Sequence, residues 1–283
     1  MNPGFHHISA AEYHADKLAD DPALSSSIAK IILKESALKA WYAHPRLNPA
    51  YREEHDDKFD LGTSAHQLLL ENDTSRVVVV EANDWRTNKA KEEREAARAA
   101  GKTALLARHY SDVRAMVEAA RLFLKDCEIA ADWQNGESEL TGLVEDDGVI
   151  LKARFDRITH DRKVIMDYKT TDSAAPELFG MQIARLGYHW QEAFYRRVAN
   201  LLGSQKPIFV FMAQSVEPPH ECSLHGCDPA MQEIADADVK HAIAMWRDCM
   251  AKDKWPSYGG RIYWTMPTSW QMSAHEQRLQ EAA

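Results

Sequence analysis

Hydrophobic and polar positions divide the chain into stretches of two different periods. In LSSSIAKIILKESALKAWYAHP, Leu24, Ile28, Ile31, Ile32 and Leu38 recur at near-helical intervals behind serines that can cap a first turn, which predicts a helix ending before Pro45. LNPAYREEHDDKFD is polar and contains proline, so it reads as a surface loop. LGTSAHQLLLEND then reads as a helix of about three turns, and Val77 to Val80 as a short strand. TNKAKEEREAARAAGK is rich in helix formers but nearly lacks large apolar side chains; its helix is either mostly solvated or laid on a charged partner. ARHYSDVRAMVEAARLFLKD restores an apolar stripe through Tyr110, Val113, Met116, Val117, Ala120 and Phe123.

From residue 137 the period shifts towards two. ESELTGLVE, GVILKARFDRI and KVIMDYKT read as consecutive strands joined by Asp-Asp-Gly and Thr-His-Asp-Arg, both turn-forming, and so as an antiparallel meander. A helical region closing at Gly203, a buried strand PIFVFMAQSV and a long helix DPAMQEIADADVKHAIAMWRDCMAKD follow; the aromatic tail WPSYGGRIYWTMPTSWQ has no regular period. No repeat, low-complexity tract or interdomain linker interrupts this order. One α/β domain over residues 1–283 is expected, with a small mixed sheet flanked by helices and helical additions at both ends.

Composition changes the picture in two ways. The 283 residues, 45% hydrophobic and 27% charged, suffice for a sizeable core, and no apolar run approaches the roughly 18 residues of a membrane span. With no secretory leader pattern and four cysteines (Cys127, Cys222, Cys227, Cys249) in no disulfide-like spacing, a cytoplasmic protein without membrane contact is expected. The net charge of −9 hides an asymmetry: residues 86–125 carry ten Lys or Arg against five Asp or Glu, a net of +5 that leaves the remainder at −14. Arg86, Lys89, Lys91, Arg94, Arg98 and Lys102 could track nucleic-acid phosphates, although Glu92, Glu93 and Glu95 make a plain solvated helix about equally reasonable.

Candidate chemistry centres on the strand KVIMDYKT. Alternation puts Asp167 and Lys169 on one side of it, about 6.5 to 7 Å apart along the strand. Asp156 ends the preceding strand, and a hairpin would bring its carboxylate against Asp167; two such groups repel unless a hard divalent cation joins them, with magnesium the first candidate. Lys169 would then add positive charge near a phosphoryl group. A lone Asp-x-Lys is more often a cross-strand ion pair, a lone His66 a buried hydrogen-bonded histidine, and Gln191 with Tyr195 a polar pair at a core edge. The set matters more than its members.

The order Gly-Thr-x-x-His, Arg-Phe-Asp, Asp-Tyr-Lys-Thr, Gln-x-x-x-Tyr resembles the motif series of RecB-like PD-(D/E)xK nucleases. Within them, LGTSAHQLLLE, ARFDRI, DYKTT and YHWQEAFY are most similar to the RecE-type exonucleases (the exodeoxyribonuclease VIII nuclease), whose layout fits residues 24–264, including the late Trp255-Pro256. The resemblance implies a restriction-endonuclease-like core with its motifs between about residues 60 and 215. It implies a magnesium site, open to manganese, of His66, Asp156, Asp167 and the Tyr168 carbonyl, with Lys169 as catalytic lysine and Gln191 and Tyr195 in support. Glu139 could face a second metal, although a solvent-facing glutamate on an edge strand is commoner. It further implies 5′-to-3′ digestion of linear duplex DNA ends leaving 3′ single-stranded tails, a ring-shaped oligomer such as a tetramer, and a single-strand annealing partner in phage-type recombination. An endonuclease, an exonuclease of other polarity, or a non-catalytic DNA-binding protein would share the fold. His220-x-Cys222-x-x-His225-x-Cys227 lacks the paired spacing of zinc knuckles, and the cysteines do not form an iron–sulfur pattern, so neither cofactor is expected.

Overall fold

A computed structural model describes residues 1–52 and 60–281, so residues 53–59 of the expected loop lie outside the described part. The chain opens with β1 (Gly4–His6), α1 (Ala10–Ala15) and the two-residue β2 (Leu24–Ser25), then α2 (Ser26–Lys34) and α3 (Ala37–Ala43). Ser9, Ser25 and Ser36 cap the three helices by accepting from backbone N–H groups, which satisfies donors that a helix start leaves unpaired. After α4 (Asp60–His66), which widens into a π turn over Gln67–Glu71, come β3 (Val77–Val80), α5 (Asn88–Ala99) and β4 (Thr103–Leu106). Then α6 (Ala107–Asp126) and α7 (Ala130–Gln134) lead into the meander of β5 (Gly136–Asp146), β6 (Val149–Thr159) and β7 (Val164–Thr171). The chain continues through α8 (Pro176–Leu186), α9 (Tyr188–Leu201), β8 (Ile208–Ser215), β9 (Cys222–His225), α10 (Pro229–Lys252) and α11 (Ser269–Glu281).

The expected meander forms the centre of a seven-stranded mixed sheet in the order β1-β5-β6-β7-β8-β9, with β2 beside β6. β5, β6 and β7 are antiparallel, as their turns predict, whereas β8 returns parallel to β7 after the α8–α9 crossover. One face is covered by α2, α9 and α10, the last with Trp246 buried, over Leu151, Phe155, Ile165 and Phe211; the other packs α4 and α6 over Tyr168 and Met212. The sheet and its two helical layers make the α/β core that the motif order implied.

The helical region after β7 is two helices, because Gly187 adopts φ +71 and ends α8 in a left-handed cap. A Cβ there would also lie 2.6 Å from the Trp190 ring, so glycine is required twice over. The solvated helix expected around residue 90 is the crossover of a separate parallel pair: β3 and β4 form a two-stranded sheet, and α5 rests on it through Ala90 and Ala97. No described helix is long and apolar enough to cross a membrane.

Candidate active site

β6 and β7 pair only at Arg157–Met166 and Ile158–Ile165, and beyond Asp156 they part. At the split, Asp156 Oδ2 accepts the Tyr168 N–H at 2.9 Å, so a carboxylate takes the place of a backbone acceptor. The same oxygen lies 3.0 Å from His66 Nε2, and Glu139 Oε1 lies 3.5 Å from His66 Nδ1. These three residues can offer ligand atoms that all lie within 4.8 Å of one another, a grouping that among the described residues is found only here.

His66 reaches this point because α4 packs closely on β7. A Cβ at Gly62 would lie 2.6 Å from Thr170 Oγ1, and Ser64 and Ala65 are buried beside it. The close approach expected from the small residues of LGTSAH is therefore present. Glu139 falls between the Ser138–Arg157 and Leu140–Phe155 pairs of β5 and β6, and its side chain, 14% exposed against His66 and Arg154, is not turned to solvent. Its φ of +58 is left-handed, a strain of about 1–3 kcal/mol for a non-glycine residue. Arg154, two residues before Asp156 on the same face, donates to the Glu139 carboxylate through Nε and to the Ile8 carbonyl through Nη1 at 2.8 Å. Sequence reasoning missed Arg154; strand alternation from Asp156 was the signal available for it.

Asp167 enters from the other side of the split. Its Oδ2 accepts from Gln191 Nε2 at 2.7 Å, and the Lys169 ammonium rests against Oδ1. Asp167 is thus engaged with Lys169 and Gln191, while Glu139 joins His66 and Asp156. Tyr195, one turn beyond Gln191, is in the core with its ring 5.2 Å from Phe155 and 6.1 Å from Phe209, behind the amide. Tyr188, another residue the sequence reading passed over, places its ring 5.3 Å from the Lys169 ammonium and 5.9 Å from that of Lys30 on α2. A cleft of about 400 Å³ lined by Ala10, His14, Gly62, His66, Lys169 and Tyr188 opens beside these groups.

The charges are strongly perturbed. Burial would lower His66, but the Asp156 and Glu139 carboxylates outweigh it and raise the imidazole to about 9. Burial pushes Asp167 up to about 6, with Asp156 adding to the effect and Lys169 opposing it. Glu139 is raised by burial and by Asp156. Burial also works against ionisation of Asp156, yet His66, Lys169 and the Tyr168 N–H together hold its carboxyl below the usual range. Glu139 Oε1 is buried with no hydrogen bond beyond the His66 ring 3.5 Å away, and Asp167 Oδ1 is buried against the Lys169 ammonium. The carboxylates of Glu139 and Asp156 and the His66 imidazole, with the Asp167 carboxylate beside them, form a donor set suited to a hard divalent cation.

The remaining candidates lie elsewhere. Arg86 pairs with Asp84 at 3.6 Å, Lys89 with Glu93 at 3.8 Å and Arg98 with Glu95 at 3.2 Å, while Arg94 stacks on Trp85 at 5.1 Å. Lys91 and Lys102 are exposed on and just after α5. In the His220–Cys227 stretch, Cys222 packs in the cluster around Tyr168 and Met212 and Cys227 in the core on the opposite face, so the two thiols are not brought together.

A mixed sheet split at a pair of acidic strands, with an Asp-x-Lys beside the gap, defines a protein of the PD-(D/E)xK-like fold. The profile of the family described as "PDDEXK-like domain of unknown function (DUF3799)" matches residues 25–265, and the chain belongs to that family. Both agree with the RecE-type resemblance of the motifs. The chain is similar over 95% of its length to 99% of a crystal structure from Eubacterium rectale assigned as an exonuclease, with a TM-score of 0.61 and 13% identity, a likeness of fold. SSO0001 aligns over 73% of this chain and 98% of its own at 15% identity, but its TM-score of 0.26 carries no weight. No curated protein matches the chain.

Proposed function

We propose that the chain is a metal-dependent deoxyribonuclease that hydrolyses the phosphodiester bonds of linear duplex DNA from its ends. The observation that carries this reading is the convergence of His66, Glu139 and Asp156 beside an Asp167–Lys169 pair. His66, Glu139 and Asp156, with Asp167 and the Tyr168 carbonyl, would hold magnesium or manganese. Such an ion supplies Lewis acidity towards a phosphoryl oxygen and activates water for attack.

The chain's own groups do the remainder. Lys169 presents a positively charged donor at the cleft, where negative charge grows on the phosphoryl group during hydrolysis. The Tyr188 ring under its ammonium keeps that charge at the opening. Gln191 fixes one oxygen of Asp167, whose other oxygen meets Lys169, and Arg154 fixes one oxygen of Glu139, so both carboxylates would be held in place for an ion. Tyr195 acts from behind, by packing on Phe155 at the base of β6.

Exonuclease action, 5′-to-3′ polarity, 3′-tailed products, a ring-shaped oligomer and an annealing-protein partner come from the RecE-type resemblance, and the exonuclease assignment of the Eubacterium rectale neighbour supports the first of them; a cytoplasmic setting rests on the leader and cysteine patterns alone. Digestion of end-labelled linear, nicked and covalently closed circular DNA with magnesium tests the reading. Loss of linear duplex with closed circles spared is the expected result. Closed circles cut as fast as linear DNA would make the protein an endonuclease, and no metal-dependent cleavage at all would make it a non-catalytic DNA-binding protein.

A further inference from the structure

Beyond Trp255 the chain exposes tryptophan side chains, whereas every tryptophan up to that point is buried or half-buried. Trp255 packs on Trp246 with ring centroids 5.3 Å apart, and the Pro256 carbonyl accepts from the Leu38 N–H at 3.0 Å, so the backbone is anchored as far as that proline. From there to Thr268 it is irregular, and large side chains along it and into the start of α11 face solvent: Trp264 is 85% exposed, Met266 83%, Trp270 77% and Tyr258 68%. Exposed aromatic residues gathered within one short stretch of chain point to a contact role.

Charge and spacing indicate its ligand. Between Lys254 and Trp270 there is no Asp or Glu, in a chain of net charge −9. Two cations, Lys254 and Arg261, share the stretch with Tyr258, Tyr263, Trp264 and Trp270, and the Arg261 guanidinium lies 4.8 Å from the Tyr263 ring centroid. Aromatic rings spaced along an irregular backbone among cations suit a single-stranded nucleic acid, whose bases stack on the rings while its phosphates meet the charges. A docking helix would instead need one apolar stripe, but at about 100° per residue Met272 and Leu279 fall on the side of α11 opposite Trp270. The exit point also fits. Lys30 on α2 shares the Tyr188 ring with Lys169, so α2 flanks the cleft, and the next helix, α3, holds Pro256.

We infer that residues 254–270 form a single-strand-binding arm, with Tyr258, Tyr263, Trp264 and Trp270 stacking on bases and Lys254 and Arg261 neutralising phosphates. The inference rests on the nuclease reading only for the source of the strand, which is the one that digestion spares.

The test is anisotropy of a labelled oligothymidylate titrated with full-length protein in EDTA, where no cleavage intervenes. Tyr263→Ala/Trp264→Ala/Trp270→Ala should lower single-strand affinity by about tenfold or more, since each stacked base contributes on that scale. Tyr263→Phe/Trp264→Phe/Trp270→Phe should retain most of the affinity, and duplex binding should be unchanged in both. The replaced side chains are exposed, and circular dichroism checks that the fold is intact. Unchanged single-strand affinity in the alanine variant overturns the inference. So does a drop in mass by light scattering without loss of single-strand binding, which would assign the surface to a second copy of the chain. A wild-type protein that binds oligothymidylate through these rings but cuts no DNA sinks the nuclease reading and leaves the arm standing; cleavage without such binding does the reverse.

Discussion

Lys169→Ala separates a metal-holding site from an ordinary ion pair. The Asp167 carboxylate is 1% exposed and has two polar neighbours, Gln191 Nε2 at 2.7 Å and the Lys169 ammonium. Removing the ammonium leaves a buried carboxylate with one donor, and breaking a buried pair in this way costs about 3–5 kcal/mol. Lys169 is itself 19% exposed, so water can reach the gap and the loss should fall near the lower end of that range. Lys169→Met keeps the aliphatic stem against Tyr188 and removes only the charge. In both variants His66, Glu139 and Asp156 are untouched, so calorimetric titration with magnesium or manganese should show affinity at or above that of the wild type. Asp156→Ala and Glu139→Ala should each weaken it. Single-turnover cleavage should nevertheless fall by about 10² or more with Lys169→Met, the loss typical of a donor aimed at developing charge. Near-normal cleavage by Lys169→Met, or loss of metal equal to that in Asp156→Ala, would refute the assignment of roles.

Gly62→Ala should cost about 1–3 kcal/mol, because its Cβ meets Thr170 Oγ1 at 2.6 Å, and should weaken metal binding by shifting His66; thermal melts and the same titration check this. His44 accepts from Arg46 N–H through Nδ1 and donates through Nε2 to the Ala23 carbonyl, and burial, aided by Lys152 and Arg46 and opposed by Asp16, lowers its pKa. Its stabilising contribution is therefore complete above pH 6.5 and is lost as the pH falls below that value, with a slope of at most about 1.4 kcal/mol per pH unit. Urea unfolding across that range should show the slope in the wild type and a shallower one in His44→Gln. Replacing Lys89, Lys91 and Arg94 together should weaken duplex binding and flatten its dependence on salt; an unchanged salt slope would return α5 to a purely structural role.

The strand of Asp167 and Lys169 was legible because period-two alternation is a local property: the two had to share a side once VIMDYKT was read as a strand. Gly62 and His66 were legible for a related reason, since small residues one turn before a histidine announce close packing. Glu139 was legible only as a candidate for a second metal, because a left-handed residue inside a strand redirects a side chain in a way that no periodicity encodes. The two-residue β2 and the three-residue β1 fell below the length at which a pattern forms, and β4, as short as β3, lacks the run of β-branched residues that marked Val77–Val80. The partner of α5 was hidden for another reason: alanine makes the contact, and alanine reads as a helix former before it reads as a core residue. The separation of Asp167 from the His66 cluster depends on where β6 and β7 diverge, which is a tertiary fact.

That divergence bears on how the protein can change over time. Because Asp156 stands in for a missing ladder acceptor to Tyr168 N–H, a replacement that silences hydrolysis also leaves a buried amide unpaired unless it brings an oxygen of its own. Inactive descendants of such a chain would retain Asn or Ser at this position far more readily than Ala or Val, so the residue there is a poor record of whether a homologue still cuts DNA. Glu139 and Lys169, which have no such duty to the backbone, are the positions where lost activity would first leave its trace.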